Sequence, residues 1–351
     1  MKLSIGVLAH NESNSIAKLL NSFRHQSLFT NASNHQTIEL IIVTNGCTDN
    51  TAEIARKTLR KLEPQLNKVD WQWKICEVSE AGKSNAWNLF VHQFSAPNTD
   101  YFCLMDADIR LYHPDTLTNM LDILVRNPEY WVSLDRPIKD IELKQDKTWI
   151  EKLSVAVSKS SNKDQLYICG QLYCSRAEAL RNMWMPAGLP VEDGFLTGMI
   201  VSENFTLKHY TFSKRIVRVS EASHVFEAYT NPLELINHEV RVVVGVVINM
   251  LLSCYLKDRC HNQLTAGTLI ARMNQENHLW LEDFMHQTLA TKNWWIIPLS
   301  LVFRRYRSLK NHSLLKALLR IPIATVAFLV DLSVFVRANN KLRGEAITSY
   351  W

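Results

Sequence analysis

Four short apolar runs near the start of the chain each stop on polar side chains, and this limits what the chain can fold into. Residues 3–9 lead into Asn11 and Glu12, and residues 38–43 into Thr44 and Asn45. The stretch "WQWKICEV" leads into a turn holding Glu80, Gly82 and Lys83, and residues 101–105 into Asp106-Ala107-Asp108. Asp and Asn are depleted in strands, so a β-rich run that ends on them reads as a strand reaching a functional edge. Between the runs the spacing is helical. Ile16, Leu19, Leu20 and Phe23 form one stripe, and Ile54, Leu59 and Leu62 a second behind the cap-like Asn50-Thr51-Ala52-Glu53. A third helix is expected over residues 86–94, and residues 25–37 read as polar loop. Strands apolar on both faces and alternating with helices predict an α/β fold, a mostly parallel sheet flanked by helices. In such sheets ligands sit beyond the carboxyl ends of the strands, so all four polar clusters are expected to face one crevice.

Two carboxylates one residue apart at a strand end suit a hard divalent cation, Mg²⁺ or Mn²⁺, bridged to phosphate oxygens. Asp106 and Asp108 have that spacing, although an isolated Asp-x-Asp is equally a turn former. Downstream, "GLPVEDGFLTGMI" places Glu192 and Asp193 at the start of an apolar helical pattern. Acids there can serve chemistry, or simply favour the positive end of the helix dipole.

Taken in order, "VLAHNES", "IELIIVTNGCTDNTAEIARK", "AGKSNAWN", "LMDADI" and "GLPVEDGFLTGMI" resemble the motifs of family 2 glycosyltransferases, inverting enzymes with the GT-A fold. The resemblance covers about residues 1–230. It implies a Rossmann-like catalytic domain that takes a nucleotide-sugar, with Ala9, Asn11, Glu12, Asn45, Gly82, Lys83 and Asp106 around the donor. It also implies Asp106 and Asp108 as metal ligands and Asp193 as the base that deprotonates the acceptor, with Glu192 beside it. His224, in "SEASHVFEAYT", matches the position from which related enzymes supply a further metal ligand, and its other reading is an ordinary core histidine. Lys83 either touches phosphate or follows a Gly82 that lets the backbone approach it. Where many members carry Asp-Asp-Gly to read uracil, this chain has Thr44-Asn45-Gly46. An asparagine offers a donor and an acceptor, so it can bind a pyrimidine edge, and a UDP-sugar is the expected donor. "NHEVR" places Arg241 where membrane-acting members carry a diphosphate-binding arginine, but without their full motif. Transfer of a single sugar to a lipid-linked or polysaccharide acceptor is therefore expected, and not processive synthesis.

After residue 230 long helical patterns take over, with apolar blocks at 242–256 and 321–336. Each is shorter than the roughly 20 residues of a bilayer span, which predicts helices packed on the sheet domain or lying in a membrane interface. From residue 301 onward nine cations face two acids among aliphatic blocks, a pattern suited to an anionic membrane surface and not to nucleic acid. Residues 231–351 are thus expected to form a helical, membrane-associating region. The seven cysteines lack C-x-x-C spacing, and the apolar start at Met1 is too short for a signal peptide. Both favour a cytoplasmic protein, peripheral on the inner face of the cell membrane. Two other classes compete. A phosphatase that begins its chemistry at Asp-x-Asp does not fit Arg110 two residues beyond the second aspartate. A non-catalytic GT-A protein serving as an assembly or membrane-docking partner keeps every motif and differs only in activity.

Overall fold

A computed structural model of the chain describes residues 1–31, 37–66, 68–148, 166–207, 209, 211–229, 231–261, 263–309 and 314–344. Lys310 and Glu345 of the basic tail, and residues 32–36 of the expected polar loop, lie outside them.

The expected strands form as β1 (Lys2–Ala9), β2 (Thr37–Asn45), β3 (Asp70–Val78) and β4 (Tyr101–Asp106), followed by β5 (Arg110–Leu111), β6 (Val132–Lys139), β7 (Leu172–Arg176) and β8 (Ile216–Phe226). They make one sheet in the order β3-β2-β1-β4-β7-β6-β8-β5. The first four strands are mutually parallel, as the both-sided burial of β1, β2 and β4 leads one to expect, with β3 at the edge. Beyond β4 the sheet is mixed, because β7 runs antiparallel to β4 and to β6. Apolar pattern alone does not report that reversal.

Alternate residues of β1 serve opposite faces. Leu3, Ile5 and Val7 pack under helices α1 (Ile16–Ser22), α2 (Thr51–Leu62) and α3 (Thr116–Arg126). Leu8, with Ile41, Val43, Phe102 and Leu104, faces the other layer, formed by α4 (Glu192–Val201), α5 (Pro232–Lys257) and the helix that begins at Lys83. Gly6 belongs to that second face, where an added Cβ would lie 2.7 Å from the Phe90 ring. The same core continues without a break into the C-terminal helices, reaching Trp280, Phe335 and Leu342.

Local details depart from expectation in three places. Asn50 precedes α2 but its side chain makes no capping bond; Asp49 takes the role, accepting from the Thr51 amide at 3.0 Å. Within the expected polar loop, Ser27–Thr30 is a helical turn that buries Leu28 and Phe29. The apolar blocks sit in helices longer than themselves. Leu233–Lys257 spans 25 residues and Arg320–Leu342 spans 23, so by length and composition each is able to cross a membrane. In α5 much of that apolarity is consumed by the core, through Val243, Val244, Val247, Ile248 and Leu252. The last helix, α6 (Leu314–Leu342), instead leaves Val326, Leu329 and Val330 53–64% exposed.

The basic tail is also less free than its charge count implies. Asp331, the acid that interrupts the second apolar block, is 4% exposed. Arg304 and Arg305 both hold it through bonds of 2.9–3.1 Å. Arg343 donates to the backbone carbonyls of Leu289 and Lys292. Arg304, Arg305 and Arg343 are therefore engaged inside the fold. Asp331→Ala removes the acid shared by two guanidinium groups, leaving Arg304 with Glu239 at 3.3 Å, and should lower stability by about 2 kcal/mol in a denaturant titration.

Candidate active site

Parallel register brings the ends of β1, β2 and β4 to one edge, with Ala9 beside Thr44 and Leu8 beside Asp106. Beyond Ala9 the chain turns sharply, and Asn11 adopts a left-handed φ of 55°. Its side-chain oxygen accepts from the Thr48 amide at 2.8 Å, which ties the ends of β1 and β2 together. Glu12 then starts α1, its carbonyl accepting from Ile16 while its carboxylate receives the Ser15 hydroxyl. Burial raises the Glu12 pKa, Ser15 opposes the shift and nearby Asp108 adds to it. Asn45 ends β2 only 1% exposed, and both polar atoms of its carboxamide are buried without a partner. Such a group carries a desolvation cost of about 1–3 kcal/mol that its own fold leaves unmet.

Gly82 has φ +139°, which an L side chain rarely adopts, and it delivers Lys83 to the first turn of its helix. The Lys83 ammonium lies 2.7 Å from Asp106 and 2.9 Å from Glu192. Burial opposes its charge, yet the two carboxylates outweigh that and hold its pKa well above the ordinary lysine value. Asp106 is pushed up to about 7, chiefly by burial, with Lys83 pulling it back. Asp193 follows in the first turn of α4, one carboxylate oxygen 2.6 Å from the Gly194 amide. Burial and the neighbouring Glu192 raise its pKa, which makes its carboxylate a stronger base than an ordinary aspartate.

A pocket made by parallel strand ends, an Asp-x-Asp at one of them and an acidic helix start opposite is the arrangement of the GT-A fold. Residues 4–183 match the family model for "Glycosyl transferase family 2". The chain belongs to glycosyl transferase family 2. No curated protein matches this sequence. Among solved structures the fold is similar to a mannosyltransferase from Pyrobaculum calidifontis in complex with GDP-Man and Mn²⁺. That similarity has 14% identity and a TM-score of 0.56, covering 97% of this chain and 86% of the other. The glucosyl-3-phosphoglycerate synthase of Mycobacterium tuberculosis, in complex with Mg²⁺ and UDP, is 15% identical with a TM-score of 0.47. There the match covers 72% of this chain and 79% of that one.

In this glycosyltransferase the remaining expected residues lie at different depths. Asp108 is exposed and, with Glu12 and Arg110, lines a cleft of about 610 Å³. His224 is fully buried on β8, opposite Leu111 of β5. Arg241 lies one helical turn before Gly245 on α5, where an added Cβ would sit 2.2 Å from the Val191 side chain. Asn249, a turn further on, bonds the Val191 carbonyl at 3.0 Å, so this stripe of α5 backs the segment that carries Glu192 and Asp193. A larger cleft, about 780 Å³ between Trp131, Arg176 and Trp184, opens at the other end of the sheet, beside the start of β4, and holds none of the expected residues.

Among the described residues no three His, Cys, Asp or Glu side chains form a ready metal cage. A Mg²⁺ or Mn²⁺ ion that arrives with a diphosphate needs only one or two carboxylates, its other ligands being phosphate and water. Asp106 and Asp108 meet that requirement in number and donor type. Sequence reasoning missed Gly170 and Gln171. Gln171 accepts the Asp106 amide at 3.0 Å, and an added Cβ at Gly170 would fall 2.7 Å from the Glu192 carboxylate and 3.0 Å from the Lys83 ammonium. An isolated glycine at the mouth of a β pattern was the available signal, since it marks a close approach. Gly170→Ala should push the Lys83–Glu192 pair apart and cost roughly 1–2 kcal/mol, read from the shift of the urea unfolding midpoint.

Proposed function

We propose that the chain transfers a single sugar, with inversion, from a nucleotide-sugar to a hydroxyl of a lipid-linked or polysaccharide acceptor. The donor is a UDP-sugar, and Mg²⁺ or Mn²⁺ takes up the charge of the departing diphosphate. Asp193 is the general base. The observation that carries this reading is the Lys83 bridge, which joins the end of the Asp-x-Asp strand to Glu192, the residue before Asp193, across one crevice. A nucleotide, a cation and an acceptor oxygen meeting there would each find the partner its chemistry needs.

The unpartnered Asn45 carboxamide supports a nucleotide base at the end of β2, where a donor and an acceptor are both on offer. Ala9, Asn11, Glu12, Gly82, Lys83 and Asp106 would line the rest of the donor site, and Arg241 would serve the diphosphate. Residues 1–230 act as the catalytic unit in this reading. Residues 231–351 hold it at the inner face of the cell membrane, supported by the exposed Val326, Leu329 and Val330. A second reading, a non-catalytic docking partner, has one observation in its favour: Lys83 already neutralises Asp106 as a cation would.

Thermal melting with Mn²⁺ and a panel of nucleoside diphosphates tests the donor site, because a ligand bound only by the native state raises Tm. A rise with UDP that needs Mn²⁺ is expected; no rise with any nucleotide overturns the reading. Asp193→Asn should keep that rise while reducing sugar transfer about 10²–10⁴-fold, the usual worth of a general base. Transfer at the wild-type rate in this variant removes Asp193 from its role, and a wild-type protein that binds UDP but transfers nothing favours the docking partner.

A further inference from the structure

Asp135 and His224 form a buried pair between the site and the far strands of the sheet. Asp135 is 2% exposed on β6, at the point where the register against β8 slips between Leu134 and Arg136. Such a bulge re-aims a side chain. Its Oδ2 lies 2.7 Å from Nδ1 of His224, while its Oδ1 is buried without a partner. A carboxylate so placed is expensive, since an apolar or amide side chain would fill the space without the desolvation cost. A histidine serving only as core filling does not call for it.

The other ring nitrogen faces Gln171. Nε2 of His224 lies 3.2 Å from Oε1 of Gln171, and the backbone carbonyl of the same Gln171 holds the amide of Asp106. Leu111, the register partner of His224, follows Asp108 by three residues. The imidazole therefore has one nitrogen fixed by a buried acid and the other covered by the carboxamide of Gln171, the residue whose backbone carbonyl holds the end of the Asp-x-Asp strand.

We propose that Asp135 is a positioning residue for the divalent cation: it holds His224 with Nδ1–H toward itself, so that Nε2 keeps its lone pair for the metal. Gln171 covers that nitrogen until the cation displaces it. The proposal rests on the metal-dependent reading above. A carboxylate on the far nitrogen of an imidazole fixes the tautomer and the ring orientation. In this tautomer Gln171 turns its amide N–H₂ to Nε2, a half-rotation that leaves the side-chain shape unchanged.

The test is Mn²⁺ affinity in the presence of UDP, read from the spin resonance of free Mn²⁺, for the full chain and for Asp135→Asn. Affinity should fall about 10–100-fold in the variant, the usual effect of losing such a support. Mn²⁺ should also broaden the ¹⁵N signal of His224 in wild type, assigned by its loss in His224→Gln. Equal affinity in wild type and a folded Asp135→Asn overturns the positioning role and leaves the metal-dependent reading standing. Wild type that binds no Mn²⁺ overturns both. Should Asp135→Asn not fold, the ¹⁵N shifts of His224 in the metal-free wild type decide: a proton on Nδ1 and none on Nε2 is expected, and a proton on Nε2 overturns the proposal.

Discussion

The Lys83 ammonium, held between Asp106 and Glu192, is the contact on which the geometry of the site depends. Asp106 ends β4, Glu192 opens α4 on the opposite layer, and Lys83 opens a helix between them. Two carboxylates this close and this buried repel each other, and a single cation converts the repulsion into a bridge. Charge pairs of this kind contribute little net stability, because desolvation offsets most of the attraction. What the bridge fixes is relative position. It also sets up a competition, since any anion entering the crevice offers Lys83 another partner and frees the carboxylates for a cation or a proton.

Much of this was legible in the sequence because the parallel half of the sheet writes itself plainly. Strands buried on both faces are short apolar runs, and their functional ends are where the apolarity stops, so Asn45, Lys83 and Asp106 could be placed at one edge from spacing alone. The family resemblance added Asp193, which periodicity could not have separated from a favourable helix start. Gly170, Gln171 and Asp135 were not legible. Their roles come from the reversal of β7 and the bulge in β6, both set by tertiary pairing and not by local pattern. Asp135 in particular reads in sequence as one polar residue of an alternating strand.

The C-terminal region shows the opposite error, in which a count read from sequence overstates a property of the surface. Net charge is a sum over residues, but an anionic membrane responds only to cations that remain exposed. Arg304 and Arg305 are drawn onto Asp331, and Arg343 onto backbone carbonyls. The aliphatic face of α6, not the charge of the tail, is thus the stronger argument for an apolar partner. Satisfying Asp331 from the protein side leaves Val326, Leu329 and Val330 free of any acid on their own face.

The mixed character of the sheet is itself part of the chemistry. Had β7 continued parallel to β4, its amino end would lie at the far edge of the sheet, roughly 17 Å from Asp106 at the usual rise per residue. The antiparallel entry instead sets Gly170 and Gln171 beside Asp106 and lets the chain pass within contact of Lys83 and Glu192 without a side chain in the way. Through Gln171 the same reversal connects the strand-end carboxylates to His224 and Asp135. A parallel half builds the edge where Asn45, Lys83 and Asp106 meet, and one reversed strand brings Gly170 and Gln171 to it.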